Sequence, residues 1–447
     1  MTDSRPRMLR GQDRDILRLA WPAFLALVAE PLFLLSDAAI VGHLGTAQLA
    51  GLGIAGAIVA TAVGLCVFLA YGTTASVARR LGAGDVRGAL EQGVDGMWLA
   101  VLVGGAATVA GVLATPRLVA VFDPGDAVAG HATTYLRIAF LGMVPLLVML
   151  ATTGVLRGLQ DTRTPLVVAV VGNLANVLAN LALVYGAGMG VAGSALGSVL
   201  AQTGSALALV AVTVRAARRA GASLRPDLPG IRRAAHAGTA LVVRTLTLRA
   251  SLLLTTYAAA TLGATSVATH QLALTIWTFL AFALDAVAIA AQALTGRTLG
   301  AGDVEATRAV TDRILRWGLL SGVVTGLALA LAAPFLAPLF SSDPAVAATL
   351  WPVLLVAAAF QPVAGVVFVL DGVLIGAGDG RYLAAGGALV LAGIVPLVWL
   401  TVAVVPAGSA TGSLVALWLA FGTGFMGGRA AVLLHRVRGT AWQVTGG

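Results

Sequence analysis

The sequence predicts an all-α integral membrane protein of twelve transmembrane helices in two parallel six-helix repeats, on three observations. Of its 447 residues, 59% are hydrophobic and 11% charged. A soluble domain carries roughly 25% charged residues, so water cannot be the solvent for most of this surface. The apolar residues lie in continuous runs, long enough to cross a hydrocarbon core of about 30 Å as helices, and not in the short alternating segments of a barrel. A short motif also recurs at a fixed distance along the chain.

Reading apolar runs between Gly, Pro, Asp and Arg clusters places the spans at 15–41, 49–77, 95–114, 133–156, 165–186, 190–214, 239–262, 267–294, 315–340, 350–376, 382–405 and 410–436. They are numbered 1 to 12 here. The polar, arginine-rich stretch 1–15 is not followed by a short apolar region with a cleavage site, so the first apolar run is expected to stay as span 1.

Charge orients the bundle. All 28 basic residues are arginine. Arg79, Arg80, Arg87, Arg157, Arg163, Arg215, Arg218, Arg219, Arg225, Arg232, Arg233, Arg297, Arg308, Arg313, Arg316 and Arg381 fall on one set of loops and their edges, with both tails. The opposite loops hold Arg117, Asp123, Asp126 and Asp343. By the positive-inside rule both termini are cytoplasmic in a multi-pass protein of the cell inner membrane. Trp98, Trp317 and Trp351 begin spans 3, 9 and 10, as interfacial anchors do. A formal charge of +9 could suggest nucleic acid, but no basic face offers a phosphate track, so nucleic acid is excluded as a partner. Cys66 stands alone, which excludes an intrachain disulfide.

The repeat is Leu-Gly-Ala-Gly-Asp-Val at 81–86 and again at 299–304, an offset of 218. The same offset aligns Leu44-Gly45 with Leu262-Gly263 and Pro116 with Pro334. It also aligns Leu156, Gly158, Asp161 and Arg163 with Leu374, Gly376, Asp379 and Arg381. Six spans per copy is an even number, so both copies enter the membrane from the same side and are parallel repeats. The organisation expected is an N-lobe over 1–214, a cytoplasmic linker over 215–238 with six arginines and two prolines, and a C-lobe over 239–447. Duplicated lobes are common in transporters, where they rock about a central site.

Pro31 to Gly45, with Ser36-Asp37-Ala38-Ala39-Ile40-Val41-Gly42-His43-Leu44-Gly45 at its heart, and Gly172 to Asn180 carry a family resemblance. So do Leu284-Asp285 through Gly296 and Leu370-Asp371-Gly372 through Gly376. The chain resembles the multidrug and toxic compound extrusion (MATE) transporters, within them the DNA-damage-inducible protein F (DinF) branch, along nearly its whole length. The resemblance implies two six-helix lobes in a V shape. It also implies alternating access, with efflux of amphipathic, often cationic, small molecules against a proton or sodium gradient. The DinF branch has an acid four residues after an asparagine on span 5. Here the asparagine is Asn176 and the acid's place is taken by Asn180, so a relay of two carboxylates is not expected.

Ionisable groups inside spans cost about 2.5–3.5 kcal/mol at the helix centre on insertion scales, and are functional candidates by default. Asp37 lies toward the outer end of span 1 and is the first candidate for cation coupling. Glu30, seven residues earlier, is placed on the same helix face as a second titratable group or as a structural bond at the Glu30-Pro31 step. Pro22 is a hinge or an entry kink, the family resemblance implying a bend in this helix. Asn176 and Asn180 face one way on span 5, with Asn173 nearby, and Ser198 on span 6 matches a family hydroxyl. Ordinary interhelical hydrogen bonding accounts for the same residues.

In the second half, counting inward matches Arg244 with Asp371 and Arg249 with Asp285 in depth, and buried opposite charges should pair. His270 opens span 8 as a hydrogen-bonded helix-end residue. No catalytic nucleophile, metal motif or phosphate-cradling loop appears, so the expectation is a transporter and not an enzyme. No cofactor and no direct ATP drive are expected. Small-molecule substrate and lipid are the expected partners of a monomer. The alternative is a flippase of a lipid-linked or polysaccharide precursor on the same architecture.

Overall fold

The computed structural model describes residues 5–340, 343–404 and 410–446. The predicted end of span 11 at 405 lies outside them. The described residues form helices and turns, with no strand among them. Eleven helices are long and apolar enough to cross a membrane: Gln12–Gly42, Thr46–Gly82, Val86–Ala120, Arg163–Gly186, Gly190–Arg219, Leu228–Thr261, Ala264–Gly300, Val304–Leu336, Pro344–Gly376, Gly380–Ala403 and Thr411–Arg438. Span 4 is a bent pair, Asp126–Leu141 and Met143–Gly158, meeting at 49°; counted as one, it makes twelve.

Several helices outrun their apolar runs at the arginine-rich ends. The linker predicted at 215–238 is helical up to Arg219 and again from Leu228, leaving 220–227 as the connection. Hydropathy marks only the lipid-facing length. Backbone hydrogen bonding continues into polar sequence, where arginine is a good helix former.

The 218-residue repeat is conformational as well as sequential. Gly45 and Gly263 take φ of 145° and 109°, Gly84 and Gly302 take 79° and 74°, and Gln160 and Gly378 take 63° and 76°. Asp85 caps one helix by accepting from the Gly88 amide at 2.7 Å, and Asp303 caps its counterpart through Ala306 at 2.8 Å. That amide, with the guanidinium of Arg80 beside it, holds the Asp85 carboxyl below the usual carboxylate range. Close helix contacts repeat too. A Cβ on Gly154 would lie 2.5 Å from the Ala70 carbonyl oxygen, and one on Gly372 would lie 2.3 Å from that of Ala288. Small residues at such crossings let helix backbones touch where lipid offers no hydrophobic drive.

The chain forms two compact units, one of Leu25–Thr239 with Gly446–Gly447, the other of Met1–Phe24 with Ala240–Thr445. Span 1 therefore passes between units two residues after the buried Pro22, and span 7 passes between them at Thr239. In the first unit, Val41, Leu52, Leu69, Leu136, Met143 and Leu147 belong to one buried core that also takes in Ile231 from the start of span 7. In the second, the beginning of span 1 is fastened to span 9. Asp13 accepts from Arg313 at 2.6 and 2.5 Å and from the Trp317 indole at 2.8 Å.

Candidate cation-coupling site

Asp37 sits late in span 1, ahead of the turn at Gly45, and is 2% exposed. Three neighbouring spans of the same unit each donate one hydrogen bond to it. Ser194 of span 6 donates to Oδ1 at 2.5 Å, Asn180 of span 5 donates its Nδ2 to Oδ1 at 2.8 Å, and Tyr135 of span 4 donates to Oδ2 at 3.0 Å. A second layer supports the first. Asn180 Nδ2 also reaches Asn176 Oδ1 at 3.2 Å, and Asn176 Nδ2 donates to Ser198 Oγ at 3.1 Å. The predicted quartet of Asp37, Asn176, Asn180 and Ser198 is thus one connected network.

Every donor is neutral. Three hydrogen bonds replace the water that a carboxylate loses on burial, but among the described residues no cation beside Asp37 fixes its charge. Asn180 Oδ1 is buried with no partner among the described residues. The neighbouring Gly197 is what lets it in, since a Cβ there would lie 2.0 Å from that oxygen. An amide offers both a donor and an acceptor. Asn180 can therefore donate to a carboxylate, or, with its amide turned, accept from a protonated carboxyl. Asn173 lies outside the network; its Nδ2 donates to the Ala29 carbonyl at 2.8 Å, holding span 5 to span 1.

Two residues of this site escaped the sequence reading. Ser194 lies four positions before Ser198 and so shares its helix face, a signal that was available. Tyr135 near the start of a span reads as an interfacial aromatic, and nothing local marks its hydroxyl as turned inward. Glu30 is exposed while Asp37 is buried, and Glu30 is not part of the network. Seven residues on a helix turn through about 700°, leaving the two side chains offset by about 20°, and the neighbours of span 1 differ at the two heights. The helix stays continuous through Pro22 and Pro31.

The second unit has a polar centre of a different kind. Asp371 of span 10 is held between Arg244 of span 7, at 2.7 Å, and Arg429 of span 12. The Arg244–Asp371 pairing matches expectation; Arg429 was missed. Its guanidinium lies 5.3 Å from the Phe425 ring centre and 5.9 Å from that of Phe368. Phe425 stacks on Phe421 at 5.1 Å. The segment Phe421–Gly427 is a π-helix. Spaced four apart, Phe421, Phe425 and Arg429 share one helix face and form a column ending at Asp371. Arg249 is exposed and Asp285 is half-buried, so the two are not buried together as expected. Depth counting fixes height along a helix and says nothing of azimuth. His270 is buried, with Nε2 3.2 Å from the Thr256 hydroxyl and its ring 5.7 Å from that of Trp418.

The MatE family model matches residues 22–182 and 240–399, once in each repeat. The chain belongs to the MATE family. Its relatives include protein DETOXIFICATION 44, chloroplastic, of Arabidopsis thaliana, 32% identical over 406 residues that cover 87% of this chain and 76% of the relative. The DNA damage-inducible protein F of Escherichia coli (strain K12) is 29% identical over 303 residues, covering 66% of this chain and 65% of the relative. Among solved structures, a MATE crystal structure in the bent conformation superposes with TM-score 0.88 at 22% identity, over 98% of both chains. A MOP superfamily transporter from Pyrococcus furiosus does so with TM-score 0.86 at 21% identity, again over 98% of both. As a MATE protein the chain is a multi-pass membrane protein of a multidrug efflux transporter family, not of an enzyme family. The precursor-flippase alternative draws no support from these relatives.

Proposed function

We propose that the chain exports amphipathic, often cationic, small molecules by alternating access, in exchange for protons or sodium ions, with Asp37 as the coupling group. The observation that carries this reading is a buried carboxylate held, among the described residues, by neutral donors alone. Such a carboxylate can exchange its charge for a proton or a bound cation without breaking an ion pair. Ser194, Asn180 and Tyr135 hold it, Asn176 and Ser198 support Asn180 from behind, and a single titrating group replaces the branch's pair. Pro22 lies where span 1 leaves one unit for the other, which suits a hinge. The drive is the ion gradient, without a cofactor, and the working form is a monomer in the cell inner membrane with both termini cytoplasmic.

The test is efflux of a fluorescent cation from cells under imposed proton and sodium gradients. Asp37→Asn abolishes gradient-driven export at unchanged membrane abundance; retained export would move coupling elsewhere, to Glu30 first. The topology has its own test. His236 and Ala237 are exposed near the start of span 7. A cysteine placed at either, in a Cys66→Ala background, resists an impermeant thiol reagent added outside intact cells, and ready labelling would reverse the orientation.

A further inference from the structure

The polar centre of the second unit is built around one oxygen. Arg244 of span 7 and Arg429 of span 12 both donate through Nη2 to Oδ2 of Asp371, the first at 2.7 Å. A cavity of about 280 Å³ adjoins these three side chains. The rest of its wall is leucine, valine and glycine, with Leu248, Leu383 and Val390 among them. Every one of these residues belongs to the second unit.

Arg429 is the anomaly. The residue is 7% exposed, and among the described residues its one hydrogen bond goes to Asp371. A guanidinium carries five N–H donors in a fixed fork, so most of them meet no acceptor. The rings of Phe425 and Phe368 attract its charge across their faces but supply no oxygen. Buried donors without an acceptor are costly. The carboxylate that faces Arg429 also serves Arg244, through the same oxygen. Arg429 lines the cavity, so this is where a further acceptor can reach it. Water would bring lone pairs and no charge, whereas an anion brings both.

We propose that this cavity binds a small monovalent anion of the halide class, with chloride the physiological member. The halide accepts from the Arg429 guanidinium and lies against the leucine and valine wall. A sphere of single charge suits that wall. Phosphate or sulfate would bring several oxygens, and apolar side chains have no donor for them. Arg381 and Arg438 are exposed at the ends of spans 11 and 12, a short way along the same helices from the cavity. Their charge draws anions toward this end of the unit. The site makes no use of Asp37, so it stands apart from cation coupling.

The experiment follows the melting temperature of the purified full-length protein in detergent as sodium gluconate is replaced by sodium chloride at constant ionic strength. The wild type gains about 3 °C on full replacement, as a ligand that binds only the folded state requires. Bromide substitutes for chloride. Arg429→Met keeps much of the side-chain volume, leaves Asp371 to Arg244 alone, and loses the response. Where that variant does not fold, the wild type decides by itself: crystals grown in bromide show an anomalous peak against the Arg429 guanidinium. A melting temperature indifferent to halide, the same gain in Arg429→Met, or no bromide peak at Arg429 overturns the proposal. A bromide peak without the thermal response marks an adventitious ion only and also overturns it. So does a phospholipid that native mass spectrometry finds on the wild type in chloride and not on Arg429→Met, since a lipid phosphate then fills the cavity.

Discussion

Asp37 and Asp371 are both buried carboxylates within spans, each 6% exposed or less, yet their surroundings are opposite in kind. Asp37 has three neutral donors, and Asp371 has two arginines. The repeat sharpens the contrast. At the 218-residue offset Asp37 corresponds to Thr255 and Tyr135 to Val353, while Asp371 corresponds to Thr153 and Arg244 to Ala26. Each unit has built its polar centre where the other has an uncharged residue. One copy sets its carboxylate among neutral donors, and the other sets its carboxylate between two arginines.

The most disruptive way to break the comparison is Asp371→Ala, which strands two arginines at the centre of the second unit. Losing one partner of a buried ion pair costs about 3–5 kcal/mol, so the variant melts far below wild type in detergent and accumulates poorly. Normal abundance with lost transport would instead make Asp371 a coupling residue. Asp37→Asn is the opposite case. It buries no unpaired charge, so its melting temperature stays close to wild type while gradient-driven efflux disappears. Tyr135→Phe removes one of three donors. A hydrogen bond to a charged group contributes about 1.5–3 kcal/mol, so efflux falls about tenfold or more but persists, and activity unaltered across pH would deny Tyr135 a part. Asn180→Asp is the mildest change. It puts a second carboxylate beside the first, and two coupled groups titrate in separate macroscopic steps. The pH profile of efflux then broadens, whereas a profile superimposable on wild type would mean the two sites do not interact.

The architecture was legible because lipid imposes it. Continuous apolar runs, arginine asymmetry and the 218-residue repeat each follow from one physical constraint and survive in one dimension. The site was legible where residue type was improbable in its setting, as with Asp37, Asn176 and Asn180 in a span. It was illegible where azimuth decided. Arg249 was misplaced because counting along a helix gives height alone, and Glu30, on nearly the azimuth of Asp37, meets other neighbours at its own height. Arg429 was a charge inside an apolar run and so carried a signal that was available.

The passage of spans 1 and 7 between units bears on how the protein is made. The unit of Leu25–Thr239 takes in Ile231, Ala234 and Ala235 from the start of span 7. On the ribosome it therefore lacks part of its core until the second repeat has begun to emerge. The second unit reaches back for Met1–Phe24, including Asp13 with its bonds to Arg313 and Trp317. Nascent span 1 must wait through most of synthesis with that end unmatched. A chain cut within 220–227 would hand each fragment a segment that its sibling needs, so neither half could mature in isolation. Co-expressed halves would fold only by finding each other, which makes assembly a bimolecular event where the intact chain has a tether.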